Sequence, residues 1–186
     1  EGIVWSDICK RDRINYIDKL KSYFDKNFEE IIEFLAKIKG RIIITGIGKS
    51  AIIGMKVSAT LNSTGTPSIF MHGSDALHGD LGAITKDDVV ICFSKSGNNN
   101  ETIDLTRQIK KLNIHLIAIT SNKESYLRKK SDNSIVYNIE KEACPNNLAP
   151  TTSTTIQLLI GDTIAICLMN LKDFKAKDFV KLHPSG

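Results

Sequence analysis

The chain has 186 residues, 41% of them hydrophobic and 25% charged, with a net charge of +4. That is the balance of one globular domain large enough for a single core, and it excludes a disordered chain. The positive surplus suits an anionic ligand but is too small and scattered for a nucleic-acid surface. Its densest stretch, Arg128-Lys129-Lys130, reads as a solvated helix end.

The first residues, Glu1 to Trp5, show no basic region followed by an apolar stretch, so no secretory signal is visible. Four cysteines, Cys9, Cys92, Cys144 and Cys167, are widely spaced without a metal-ligand pattern. Cys92 and Cys167 sit in apolar runs and read as core residues of a reduced, cytoplasmic protein. A polar amphipathic helix is expected over about Lys10–Lys39, with 1–39 forming a helical extension to a single domain spanning 1–186. After it, β-rich runs at Arg41–Thr45, Ser68–Met71, Val89–Phe93, Leu116–Thr120 and Ser134–Tyr137 alternate with helical stretches at Ala51–Leu61, Glu101–Leu112 and Glu124–Lys130. Between the second and third runs there is room for a helical turn or two. Ile42–Ile44 and Val89–Phe93 are continuous apolar runs, as in strands covered on both faces, and the alternation implies an α/β fold with a mostly parallel sheet. A last helix, about Ser153–Leu171, is apolar nearly all round and is expected to be buried under the sheet or in a subunit interface. Its most apolar part, Ile156 to Leu171, carries Gln157, Gly161 and Asp162 and reads as too short to cross a bilayer.

Ligands of open α/β sheets bind beyond the carboxyl ends of the strands, so the loops after strands one, three and five matter most. The first, Thr45-Gly46-Ile47-Gly48-Lys49-Ser50, offers a tight turn and a helix N-terminus to an anion. It is not a P-loop, because Ile43 stands where the earlier glycine is needed. As a dinucleotide fingerprint it lacks the acid near the end of strand two, where Phe70-Met71-His72-Gly73 stands. The second loop, Ser94-Lys95-Ser96-Gly97-Asn98-Asn99-Asn100-Glu101, has far more side-chain donors than one helix cap requires, and reads as a phosphate cradle. The third runs from Lys141 to Thr155. Its hydroxyl run caps the last helix, and Glu142 is a candidate general base. Of the histidines, His78 and His183 are candidates for proton transfer, while His72 and His115 read as structural.

The strings Gly46-Ile-Gly-Lys-Ser50, Ser63-Thr-Gly-Thr-Pro67, His78-Gly-Asp-Leu-Gly82, Ser94-x-Ser-Gly97, Lys141-Glu-Ala-Cys-Pro145, Ala149-Pro-Thr-x-Ser-Thr-Thr155 and His183-Pro184 closely resemble the SIS (sugar isomerase) phosphosugar-binding domain. Within that family they are most similar to the arabinose-5-phosphate isomerase branch. The resemblance runs from about Gly40 to the C-terminus. It implies a three-layer sandwich with a five-stranded parallel sheet of flavodoxin-like type, assembled as a homodimer or homotetramer. It also implies interconversion of D-ribulose 5-phosphate and D-arabinose 5-phosphate on the way to Kdo, for lipopolysaccharide or capsule. Phosphate binding then falls to Ser50, Ser94, Ser96 and Asn99, and the catalytic set to Lys49, His78, Glu101, Glu142 and His183. Asn98-Asn99 replaces the Glu-Ser of many relatives. Many relatives also continue into paired CBS domains, so this sequence is expected to be a short form or a piece of a longer chain.

Aldose–ketose isomerisation needs a carbon base, an oxygen-proton shuttle and a cation near the developing oxyanion, and no cofactor or metal. Glu142 is expected as the base, His78 or His183 as the shuttle, Lys49 as the cation and Glu101 as an orienting group, with the two glutamates open to exchange. An ion captured at His78 and His183 is expected to inhibit. The competing expectations are a non-catalytic sugar-phosphate sensor and an isomerase of another ketose phosphate. Neither a nucleic acid nor a membrane is expected as a partner.

Overall fold

A computed structural model describes residues 18–184. A 3-10 turn at Lys19–Tyr23 precedes helix α1 (Lys26–Lys37), and the two are separated at Asp25, whose side chain caps α1 by accepting the Phe28 amide at 3.0 Å. The long N-terminal helix expected over 10–39 is therefore interrupted in its described part. Its first residues, 10–17, and Cys9 lie outside the described residues. Phe28, Ile31, Ile32 and Leu35 of α1 recur at helical spacing and are all buried, which makes α1 part of the core rather than an appendage.

Strands β1 (Ile42–Gly46), β2 (Ser68–His72), β3 (Val89–Phe93), β4 (His115–Thr120) and β5 (Asn133–Val136) form one parallel sheet in the order β2-β1-β3-β4-β5. Alternate residues point to opposite faces. Ile42, Ile44, Val89, Ile91, Phe93, Ile117, Ile119 and Ile135 pack with α1, helix α2 (Lys49–Ser63) and helix α6 (Thr152–Leu171). Ile43, Val90, Cys92, Leu116 and Ala118 face the other layer, built by α3 (Gly73–Leu77), α4 (Asn100–Lys111) and α5 (Tyr126–Lys130). This is the three-layer α/β sandwich expected. A short α7 (Ala176–Leu182) with no buried residue follows α6. Cys92 is buried as expected, whereas Cys167 is half-buried on α6.

At the amino edge of the sheet the starts of β1 and β3 are clamped together. Asp88 accepts the Arg41 amide at 2.7 Å, its guanidinium at 2.8 Å and the Thr85 amide at 2.8 Å. Burial pushes the Asp88 carboxyl up, but these donors outweigh it and hold the group well below the usual carboxylate range.

Helix α6 has 20 residues and is, by length and composition, long and apolar enough to cross a membrane, contrary to the shorter span read from the sequence. Nine of its residues are nevertheless buried against the domain, while Ile166 and Leu171 are exposed on its outer side. The helix is thus buried along one side rather than all round.

Candidate active site

The chain leaves β1 toward β2 on one side and leaves β3 toward β4 on the other, so the crossovers diverge at the β1–β3 boundary. A crevice opens at such a switch point, beyond the carboxyl ends of the strands. Here it is a cleft of about 260 Å³, and it brings together Lys49, Ser50, Ser94, Ser96 and Asn99, with Lys95, Pro150 and Ser153 beside them. Every expected phosphate ligand therefore lies on one cleft.

Two helices begin at this cleft, and neither is capped by its own side chain. Helix α2 starts after Gly48 and α4 after Asn99, both without a side-chain cap. By contrast, Asp25, His72 and Ser125 each cap their own helices. First-turn amides without a cap are donors awaiting an anion, and both helix dipoles favour one. Gly48 takes a φ of +59° and Gly97 one of +62°, left-handed values that let both turns form tightly. The Ser94 hydroxyl accepts the Gly97 amide at 3.1 Å, which folds the cradle back on itself. Asn98 points away from the ligand side: its Oδ1 accepts the Tyr126 amide at 2.7 Å, and the Gly97 carbonyl accepts the Leu127 amide at 3.1 Å. Asn98 is thus used to fasten α5 to the cradle.

Glu142 is only 1% exposed. Its Oε1 accepts the Ser153 hydroxyl at 2.6 Å and stands 2.8 Å from the Lys95 ammonium. Its Oε2 accepts the amides of Thr151 at 2.9 Å and Ser153 at 3.1 Å, so this carboxylate caps α6. Burial pushes the carboxyl up, but Lys95, Ser153 and the two amides prevail and bring it down to about 2. It is ionised at neutral pH. The Asn147 side chain accepts the Glu142 amide at 2.7 Å and shapes the loop behind it. Tyr137 is fully buried, hydrogen-bonded to Gln157 at 2.9 Å, and its hydroxyl is pushed up by burial and by the charge of Glu142.

Glu142 thus lies behind the cleft wall, reached through Lys95 and Ser153, and the remaining candidates do not line the cleft either. Glu101 is exposed in the first turn of α4, and His78 is exposed just beyond α3, both at the carboxyl end of the sheet. His183 follows α7, beyond the end of α6. Helix α6 starts beside the cleft and runs 20 residues, about 30 Å. It ends where Lys172 reaches Thr66, just before β2, at 3.1 Å. From there the half-buried His183 stacks on Phe179 at 3.8 Å and bonds its carbonyl through Nδ1 at 2.9 Å. Neither His78 nor His183 is among the residues that line the cleft. Among the described residues no group of three His, Cys, Asp or Glu side chains is arranged to hold a metal. Lys95 stands among the cradle donors in the sequence, where nothing beside it marks a further role. Its pairing with Glu142, 47 residues on, left no trace in local spacing.

The divided crossovers, the paired uncapped helices and the buried carboxylate define an α/β domain whose cleft favours an anion. The SIS domain family model matches residues 34–167, and the chain belongs to that family. It is 49% identical over 179 residues to the arabinose 5-phosphate isomerase KdsD of Francisella tularensis, a match covering 95% of this chain and 55% of that protein. It is 46% identical to the KdsD of Pseudomonas aeruginosa, over 91% of this chain and 52% of that one. The chain thus spans about half the length of the curated relatives it matches. Among solved structures it resembles an E. coli CFT073 protein in complex with arabinose 5-phosphate, with a TM-score of 0.89 and 37% identity, covering 99% of this chain and 100% of that one.

Proposed function

We propose that this chain is the isomerase domain of an arabinose 5-phosphate isomerase, interconverting D-ribulose 5-phosphate and D-arabinose 5-phosphate through an enediol and feeding Kdo synthesis in the cytoplasm. The observation that carries the reading is a buried, ionised carboxylate, Glu142, set behind a cradle formed by two uncapped helix N-termini. The relatives named for this activity, and the similar structure holding arabinose 5-phosphate, support the choice of sugar.

In this reading the phosphate sits on the amides opening α2 and α4 and on Ser50, Ser94, Ser96 and Asn99. Glu142 takes the proton from C1 of the ketose while a histidine protonates the C2 oxygen, giving the enediol. Delivery to C2 of a proton from Glu142, after exchange with solvent, and loss of the O1 proton complete the aldose. Lys49 stabilises the developing negative charge, and Glu101 orients a histidine or a sugar hydroxyl. Neither histidine lines the cleft of its own chain, so we infer that a second copy completes the site. Exposed Ile52, Met55, Ile166 and Leu171 offer an apolar surface for that assembly as a homodimer or homotetramer.

The test is turnover across a panel of pentose, hexose and heptose phosphates, followed by subunit mixing. Equal mixtures of Glu142→Gln with His78→Ala or His183→Ala proteins should recover part of the activity that each variant alone lacks. No recovery from either pair after subunit exchange would refute the shared site. Ligand binding without turnover on any sugar would replace the enzyme by a sensor.

A further inference from the structure

Lys95 links the two halves of the cleft. Its backbone cannot move freely, because its carbonyl accepts the Ser121 amide at 3.0 Å, the Ser121 hydroxyl at 2.9 Å and the Thr120 hydroxyl at 3.0 Å. Its side chain is placed differently: it is 41% exposed, whereas the Glu142 side chain it pairs with at 2.8 Å is 0% exposed. The ammonium has three protons, and the cleft it lines is also lined by Ser50, Ser94, Ser96 and Asn99. One cation therefore stands between a buried carboxylate and the place where a phosphate would lie.

The carboxylate does not depend on that cation alone. Without Lys95, Glu142 keeps the Ser153 hydroxyl and the amides of Thr151 and Ser153. A phosphate dianion in the cradle carries more charge and competes for the same ammonium. A carbon base held strongly acidic is a weak one, since a general base works best with its proton affinity near the working pH.

We propose that Lys95 is a shared counter-ion: it pairs with Glu142 in the free protein and turns to the phosphate group when ligand binds, releasing the carboxylate to act as base. Lys95 is then a positioning residue that couples arrival of the phosphate to activation of Glu142. The inference rests on the cleft being a phosphate site and deepens the isomerase reading. The titratable groups that face Glu142 are Lys95, from the loop after β3, and Tyr137, just past β5. The Thr151 and Ser153 groups facing it from α6 do not titrate, and Lys49 is the other cation of the cleft.

The experiment has two arms on the whole chain, neither requiring turnover. In the first, the Glu142 carboxyl carbon is followed by NMR from neutral to acid pH in wild type, Lys95→Met and Lys95→Arg. Lys95→Met should raise the Glu142 titration by about one pH unit or more, and Lys95→Arg should leave it near wild type. In the second, binding of inorganic phosphate is measured calorimetrically at pH 7.5. Lys95→Met should weaken it about tenfold or more, the loss of one charge-assisted hydrogen bond. Glu142→Gln, which frees Lys95, should tighten it, and that gain should vanish in the Lys95→Met/Glu142→Gln double variant.

A phosphate affinity or a Glu142 titration left unchanged by Lys95→Met overturns the proposal, as does an equal gain from Glu142→Gln in both backgrounds. If circular dichroism shows Glu142→Gln unfolded, the titration and the Lys95→Met affinity decide alone. Coupling without isomerisation of any sugar would refute the enzyme reading and leave this one standing. Isomerisation without coupling would do the reverse.

Discussion

Replacing Glu142 with Gln removes a charge that the fold has surrounded with donors. A glutamine can keep its oxygen toward the amides of Thr151 and Ser153 and turn its NH2 toward the Ser153 hydroxyl, but it then faces the Lys95 ammonium with another donor. The carboxyl lies at about 2 instead of its ordinary 4.5, which corresponds to roughly 3 kcal/mol of stability. Because the folded value is depressed, that contribution is complete above the ordinary carboxylate range and is lost as pH falls through about 2. Urea unfolding followed by circular dichroism from pH 7 to pH 2.5 should show the variant less stable than wild type by about 2–3 kcal/mol at neutral pH. The gap should narrow steadily below pH 4.5. The same protein should still fold, since domains of this kind have about 5–15 kcal/mol in hand, and should lose turnover by about 10²–10⁴-fold. A stability gap that stays constant from pH 7 to pH 2.5 would refute the argument that charge-assisted bonds to Glu142 hold this loop.

Two further substitutions separate the cradle from the scaffold. Gly97→Ala forces a side chain onto a φ of +62° and places its Cβ 2.6 Å from the Ser125 hydroxyl, so it should cost about 1–3 kcal/mol and abolish measurable binding of inorganic phosphate. Wild-type phosphate affinity in that variant would contradict the cradle. Asp88→Asn weakens the Arg41 clamp at the far edge of the sheet and should cost about 2–4 kcal/mol in urea unfolding. Its phosphate affinity should be that of wild type, and a parallel loss of affinity would show that the two ends of the sheet are not independent.

The strands and most helices were legible because their cause is local. Ile42–Ile44 and Val89–Phe93 are covered on both faces, and continuous apolar runs announce that. The cradle was legible for a related reason: a loop so rich in small donors exceeds what one cap needs. The break near Asp25 was missed because Phe28, Ile31, Ile32 and Leu35 continue an apolar period that conceals the capping aspartate before them. Glu142 was found as an acid near the ligand, but its environment was not, since Lys95 and Ser153 reach it from separate parts of the chain. The placement of His183 was illegible for the opposite reason. Its His-Pro string looks catalytic, yet His183 follows a further loop and helix and is not among the residues that line the cleft of its own chain.

The most direct measurement of the central claim is deuterium incorporation at C2 when D-ribulose 5-phosphate is incubated with the protein in D2O and followed by NMR. An enediol route run by Glu142 predicts D-arabinose 5-phosphate carrying deuterium at C2, with none formed by Glu142→Gln on the same timescale. Arabinose 5-phosphate formed equally well by the variant, with or without deuterium, would contradict it.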